Sequence, residues 1–572
     1  LSVEKSPLPK LSPFNTNHLW FFLFLFLGIV SLFFASWDRP LANPDEARYT
    51  QIPLHMIQTS DFITPRLNGV KYFEKPPLMY WIQAIQLWLF GLNEAMLRIG
   101  VKLFALMGMG LVYWWAKRQY NQLIAVMAST IMISNILYCA IGQIIILDMP
   151  LSFFMTASLF FFYEAMYQTT PIKRRWYFGI FCIMCGLGVL TKGLIALAIP
   201  GPIIVIWLTL TKQWNKIRPF FPISNGAIFL AIVVPWHILV QQKNPEFFHK
   251  YFVIEHIIRY TTKYHARFQP YWFFILIFFV GFLPWFLLLP ASLPKLIHWI
   301  KQGKKKFSQH PDITFLLLWA GWVFIFFSWS HSKLIPYIVP MIAPMSLLLA
   351  KWAYHYQIPI VYGRIVGYVL MALGTLPWMV LRFVPDGAII SQKINNGIWI
   401  ISSAFFVSGV VIQYIYWKKN KNSSAQNHQR CLHHRLLKCF AILGIIITGT
   451  IQLYAPNIQK PSTKKIALYI KNHKDAKDKI VCFDTYFQDL PVYAQQTVAV
   501  VEGFGELSFG TTVEDTRSWM IDRQTFMNWW SQKIPMWIVA RTNNFEKLIH
   551  QYPTLKYIKI KEDGPFVLIK NQ

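Results

Sequence analysis

Two acids stand side by side in NPDEARYTQI, residues 43–52, and an acid and a base sit against two prolines in YFEKPP, residues 72–77. Asp45 and Glu46 follow Pro44, an order that can open a helix, where free N–H groups favour a carboxylate in the first turn. The same carboxylates at a membrane surface could instead activate or orient an acceptor nucleophile, with Arg48 and Tyr49 placed on a phosphate. Glu74 and Lys75 are neighbours in sequence and cannot share one helical face, so each is expected to meet a different partner from a stiff segment.

Composition decides where such residues must act. The chain has 572 residues, of which 55% are hydrophobic and only 14% charged, against roughly 25% charged in a soluble domain. A single aqueous core stops growing at roughly 250–300 residues, so lipid must solvate the apolar excess. Apolar stretches near the length of a bilayer core lie at 18–36, 97–116, 121–139, 145–166, 176–191, 194–210, 223–240, 271–293, 313–330, 334–353, 364–384, 397–417 and 436–454. The expectation is a polytopic α-helical membrane protein with about thirteen transmembrane helices. The first lacks a small-residue cleavage site and is taken as a retained helix.

Lys and Arg favour cytoplasmic loops, and with the N-terminus inside, the basic segments 117–118, 173–175, 212–218, 295–306, 351–364 and 418–438 fall on one side. An odd number of spans then places the chain after Tyr454 outside. The net charge of +30 would point to nucleic acid in a soluble chain; distributed this way it reports topology, and no nucleic-acid partner is expected. The exceptions are informative. Two outer loops, about 37–95 and 241–270, carry Arg48, Arg66, Lys71, Lys75, Arg259, Lys263 and Arg267, and short outer turns surround Asp148, Lys192 and Lys333. Cations there oppose the topology rule, and either membrane-lipid head groups or a bound anionic ligand would account for them.

From about residue 456 no apolar run is long enough to span. KIVCFD at 479–484, TVAVVEG at 497–503, PMWIVAR at 535–541 and FVLIK at 566–570 are expected as buried strands, with helices at 516–533 and 544–552. That predicts a soluble α/β domain over 456–572, after a membrane domain over 1–455. Cys182 and Cys185 lie in an apolar helix and are expected to pack. No Walker loop, dinucleotide glycine pattern, HExxH or GxSxG occurs.

Six motifs, in order along the membrane part, carry a family resemblance: DEARY at 45–49, GVKYFEKPPLMYW at 69–81, LDMPL at 147–151, LTKG at 190–193, FVIEHIIRY at 252–260 and SKLIPYIVP at 332–340. The chain resembles the 4-amino-4-deoxy-L-arabinose transferases of lipid A and their protein O-mannosyltransferase relatives, membrane glycosyltransferases of the GT-C class. The resemblance implies an undecaprenyl-phosphate sugar donor, a lipid A acceptor and a site on the periplasmic face of the bacterial inner membrane. Another acceptor, core saccharide or protein, is the alternative, and a lipid or solute transporter a more distant one.

The resemblance also assigns roles. It makes Asp45 the catalytic acid of the first loop and Asp148 a second acid near the same surface. Arg48, Lys75 and Arg259, with Lys333 and the hydroxyl of Tyr337, would hold the donor phosphate, and Glu46, Tyr49, Glu74 and His256 would support them. Glu74 and His256 can bind metal but fall short of a ligand set, so a divalent metal stays open and no cofactor is assigned. Because the leaving group is a phosphate, catalysis would rest on cations that stabilise its charge, with inversion at the sugar. The tail holds no recognisable catalytic spacing and is expected to shape acceptor access.

Overall fold

The computed structural model describes residues 16–34, 39–217, 223–261, 269–381, 392–417 and 425–572. Helix occupies every stretch expected to span. Among the described residues eight helices are long and apolar enough to cross a membrane, and a ninth span is a pair, Phe273–Gly281 and Trp285–Lys301, bent by 98°. The expected count of about thirteen exceeds this because some expected spans are shorter apolar helices, Phe22–Phe33, Gln122–Ile133 and Ile195–Thr211. One interruption has a local cause. The Asn135 side chain accepts from the Tyr138 N–H at 2.9 Å, so it caps a new helix, Ile136–Ile141, and breaks the apolar run.

The soluble unit follows the helix Ala425–Ile458. Its mixed six-stranded sheet has the order 520–521, 499–501, 479–483, 536–541, 566–571, 557–563, the first four parallel and the last two antiparallel. Alternation along Lys479–Phe483 sends Val481 and Phe483 into one core with Phe526, Trp530, Phe545 and Leu548. Ile480 and Cys482, on the opposite face, join a core continuous with that of the membrane unit. Two strands depart from expectation. Met520–Ile521 forms a short strand inside the stretch expected as helix, which begins only at Arg523 after the Asp522 cap. Tyr557–Asp563 is an edge strand whose lysines discourage further pairing.

The first loop, 39–93, packs between the two units. Arg66–Leu67 and Val70–Lys71 pair across Asn68 and Gly69, which have φ of 49° and 82°, the backbone of a tight two-residue hairpin. Asn68 exchanges two 3.0 Å hydrogen bonds with the Val498 backbone and accepts from the Trp519 indole through its carbonyl. Arg66 forks onto Glu514 at 2.8 and 3.0 Å. Lys71 pairs with Glu246 at 2.7 Å. Arg66 and Lys71, counted above among cations open to an anion, are therefore spent on docking the loop.

Beneath the loop lies a carboxylate sealed from solvent. Glu46 Oε1 accepts from Arg39 Nη2 at 3.0 Å, Arg98 Nε at 2.9 Å and the Ile145 N–H at 3.1 Å; Oε2 accepts from Arg98 Nη2 at 2.7 Å and the Ala42 N–H at 2.8 Å. Burial alone would raise its pKa, yet Arg98 and Arg39 hold it below the usual carboxylate range. Arg98→Ala would leave that carboxylate with Arg39 as its remaining charged partner and strip two of its five hydrogen bonds. Breaking such a pair costs about 3–5 kcal/mol, whereas the exposed Lys465–Asp563 pair contributes up to about 1 kcal/mol. Thermal unfolding of the detergent-purified protein should show a large loss for Arg98→Ala and almost none for Lys465→Ala; equal behaviour would contradict this ranking.

Candidate active site

Asp45 opens the helix Asp45–Thr59. Of the two adjacent acids it is Glu46 that bonds a backbone N–H at this end, while the Asp45 side chain stays half exposed and meets Arg48 at 3.4 Å. Neither acid makes a side-chain cap of this helix, and Glu46 instead ties the preceding segment to it through Ala42. Arg48, one turn on, is buried, and its Nε lies 2.6 Å from Glu506 Oε2 of the soluble unit. Tyr49 stacks on Tyr80 with centroids 6.0 Å apart. Burial raises the Tyr49 phenol; Arg48 opposes this, and Asp45, Glu74 and Asp148 add to it, which gathers these acids around one side chain.

A cavity of about 210 Å³ is lined both by the polar side chains of Lys75, Lys192, Arg259, Asp148 and Tyr337 and by apolar Leu151, Ile195, Phe326 and Phe327. Asp148 begins the helix Asp148–Tyr167 and pairs with Lys192 at 2.7 Å. Lys192 in turn lies 4.7 Å from the Tyr337 ring centroid. Arg259 follows the π-helix His249–Ile258, a wide winding frequent at functional sites. It bonds Glu255 at 2.9 Å and stands 3.8 Å from Glu74. The other oxygen of Glu255 holds Lys250 at 2.9 Å.

His256 bridges this helix to the turn bearing Lys192. Its Nδ1 lies 2.7 Å from the Tyr251 carbonyl, to which it donates, so Nε2 is the acceptor for the Leu194 N–H at 3.3 Å. Burial lowers its pKa and keeps it neutral. Gly193 permits the contact: its φ is +85°, and a Cβ there would lie 2.3 Å from His256 Nε2. Among the described residues no group of three or more His, Cys, Asp or Glu could hold a metal ion, so His256 is accounted for as a tether.

A second cavity, about 600 Å³, lies where the soluble unit covers the first loop, bordered by Arg48, Glu74, Lys250, Gln488, Glu506 and Thr512. Burial works against the charge of Glu74, but Lys75, Arg48, Arg259 and Lys250 outweigh it and hold the carboxyl well below its usual range.

The expected residues thus divide. Lys75, Arg259, Tyr337, Asp148 and His256 share the first cavity. Arg48, expected with the donor phosphate, borders the second cavity with Glu74 and pairs with acids. Lys333 does not line the first cavity; it donates to the Ser330 and Gln269 carbonyls and braces the turn before Tyr337. Lys263 and Arg267 lie outside the described residues. Four residues were missing from the expected site. Lys192, Lys250 and Glu255 lie in or near quoted motifs, but their roles depend on partners distant in sequence. Glu506 had no sequence signal beyond an acid after glycines.

The dolichyl-phosphate-mannose-protein mannosyltransferase family model matches residues 19–252, and the aminoarabinose transferase C-terminal domain model matches 466–571. The chain is 28% identical over 569 residues to the undecaprenyl phosphate-alpha-4-amino-4-deoxy-L-arabinose arabinosyl transferase of Yersinia enterocolitica, covering 94% of this chain and 96% of the relative. With the protein of that name from Pectobacterium carotovorum it is 27% identical over 506 residues, 86% and 87% of the two chains. The crystal structure of ArnT from Cupriavidus metallidurans bound to undecaprenyl phosphate matches with a TM-score of 0.80 at 26% identity, over 97% of this chain and 98% of that one. Fold and sequence together define a membrane glycosyltransferase of the GT-C class. Within that class the chain groups with the aminoarabinose transferases, which it matches in the membrane unit and the soluble unit alike.

Lys75 supplies a test of the cavity's preference for anions. Its ammonium donates to the Glu74 carbonyl at 2.8 Å. Burial and the charge of Arg259 lower its pKa, Glu74 and Glu255 oppose them, and it falls to about 7. An isoprenyl phosphodiester has no titration of its own near neutrality, so Lys75 should govern its binding there. Below pH 7 the ammonium is charged before and after binding, and affinity should be flat. Above pH 7 binding must take up a proton, and affinity should fall by up to about tenfold per pH unit until the pKa of the complex is reached. Lys75→Arg, charged throughout, should abolish the slope; an unchanged slope in that variant would assign the titration elsewhere.

Proposed function

We propose that this glycosyltransferase moves 4-amino-4-deoxy-L-arabinose from undecaprenyl phosphate to lipid A, with inversion at the sugar, on the periplasmic face of the bacterial inner membrane. In this reading the N-terminus is cytoplasmic and the soluble unit periplasmic. The observation that carries it is the first cavity, where Lys75, Lys192 and Arg259 share the lining with apolar Leu151, Ile195, Phe326 and Phe327. That pairing suits a phosphate on a long isoprenyl chain. The names of the similar transferases supply the sugar and the lipid carrier.

The chemistry follows from the charges. As the anomeric bond breaks, negative charge gathers on the departing phosphate, and preorganised cations in a cavity shielded from water stabilise it most when that charge is greatest. Lys75 and Arg259 would contact the phosphate, with the Tyr337 hydroxyl donating to it. Asp148 would hold Lys192 toward it through their 2.7 Å pair. Asp45 would orient the acceptor phosphate of lipid A, whose oxygen is already nucleophilic, or accept a proton from a hydroxyl acceptor. The match of residues 19–252 to the protein mannosyltransferase model favours the hydroxyl acceptor as the second reading.

Mass spectrometry of lipid A from cells with and without the gene separates the two: the leading reading requires a gain of one pentosamine on a phosphate, and a hexose increment or unmodified lipid A would reject it. In the purified enzyme, Asp45→Asn should abolish turnover while leaving donor binding and folding intact. Lys75→Ala and Arg259→Ala should each weaken donor binding by about 1.5–3 kcal/mol, the worth of a hydrogen bond to a charged group. Lys173→Ala, in the basic turn that opens the helix Pro171–Lys192, should change neither. If all four behave alike in a donor titration, the cavity does not hold the phosphate.

A further inference from the structure

The soluble unit places one carboxylate, Glu506, on the wall of the second cavity, where it pairs with Arg48 of the first loop. Glu506 lies in the turn Gly505–Leu507, which follows the parallel strand Ala499–Val501. Its neighbour Gln488 follows the adjacent parallel strand, Lys479–Phe483. The crevice beyond the carboxyl ends of parallel strands is where open α/β sheets bind ligands. The two strand ends are locked together: Gly503 has φ of +58°, and a Cβ there would lie 2.6 Å from the Asp484 carbonyl oxygen. Glu506 is thus held on a rigid corner and not on a mobile loop.

Its two oxygens differ. Oε1 accepts from the Gln488 amide at 2.8 Å. Oε2 pairs with Arg48 Nε at 2.6 Å, and Arg48 is itself shared with Asp45. Among the described residues these two partners leave part of the acceptor capacity of this buried carboxylate unused where it borders a cavity of about 600 Å³. The other buried acids nearby are committed. Glu255 holds Lys250 and Arg259, Asp148 holds Lys192, and Glu74 lies among Lys75, Arg48, Arg259 and Lys250 and offsets their charge.

The donor in question carries an ammonium group at C4, across the sugar ring from the anomeric carbon. With the phosphate among Lys75, Lys192 and Arg259, that cation is best placed away from these three like charges and against a carboxylate they do not already hold. Resting on the function proposed above, we infer that Glu506 is the specificity residue that accepts the sugar ammonium, so that the soluble unit reads the amine while the membrane unit holds the phosphate. Burial raises the pKa of Glu506, Arg48 opposes this and Glu74 adds to it, and an arriving ammonium would favour the charged carboxylate.

The test compares two donors on the full-length enzyme, undecaprenyl phosphate carrying the 4-amino pentose and the same lipid carrying the pentose with a hydroxyl at C4. Wild type should prefer the amino donor. Glu506→Gln should lower kcat/KM for the amino donor by roughly 10- to 150-fold, the worth of one charge-assisted hydrogen bond, and leave the hydroxy donor nearly unchanged. Glu506→Asp, which keeps the charge, should retain part of the preference, and it decides the matter if Glu506→Gln is not recovered folded. An equal loss with both donors would make Glu506 a support for Arg48 alone and overturn the inference while the parent function stands. A wild-type enzyme indifferent to the amine would do the same. A wild-type enzyme that transfers neither pentose but does transfer another sugar would overturn both.

Discussion

The burial of Glu46 sets the position of nearly everything that does chemistry here. A carboxylate with no access to water is tolerated only when its lone pairs are filled and its charge is answered. Its donors come from Arg39 and Ala42 after the first helix, Arg98 in a membrane-spanning helix, and the backbone of Ile145. Asp45 is the residue just before it in the chain, and Asp148 begins its helix three residues after Ile145. One set of hydrogen bonds therefore fixes the start of the first-loop helix and the approach to the second acid. Arg98 also donates to the Arg39 and Pro40 carbonyls, so the guanidinium that neutralises Glu46 pins the segment leading to Asp45. Lysine could supply the charge but not that fork.

Around this fixed frame the site alternates charges so that each buried cation has an acid and few have a full complement. Lys192 has Asp148, Lys250 and Arg259 share Glu255, and Arg48 stands between Asp45 and Glu506. Lys75 is the exception. Among the described residues its one hydrogen bond is to a backbone carbonyl, and its pKa is lowered first by burial and then by the charge of Arg259. A site built this way is electrostatically unfinished, and the proposed phosphate would complete it. The same logic explains why Arg66 and Lys71 do not compete for the ligand, since Glu514 and Glu246 already satisfy them.

What could be read from the sequence followed from local chemistry. Hydropathy located the spans and alternation located four of the six strands, because lipid exposure and sheet faces impose short periods. The motifs named Lys75, Asp148, Arg259 and Tyr337, which line one cavity. They could not show that Lys333 closes a turn on carbonyl oxygens. Nor could they show that Arg48 pairs with an acid 458 residues away in the soluble unit. The strand Met520–Ile521 has two residues, too few to show a period. Such features depend on long-range pairing, and a single sequence does not encode the partner beside the residue.

The tail, expected to shape acceptor access, is built closely into the membrane unit. A domain that merely capped the membrane unit would need a surface, whereas this one shares a continuous apolar core with it through Cys482, Val500, Trp537 and Leu568. It also receives the Asn68 hairpin with paired backbone bonds on both sides of a side-chain amide. Those contacts hold the strand-end turn of Glu506 in register with Arg48, one helical turn from Asp45. Three units of the chain thus meet around two cavities. The first is lined by membrane-unit residues, and the second combines Arg48, Glu74 and Lys250 with Gln488, Glu506 and Thr512 of the soluble unit. Under the assignment proposed above, recognition of the lipid carrier falls to the membrane unit and recognition of what it carries to the soluble unit, so that the tail could vary the second without disturbing the first.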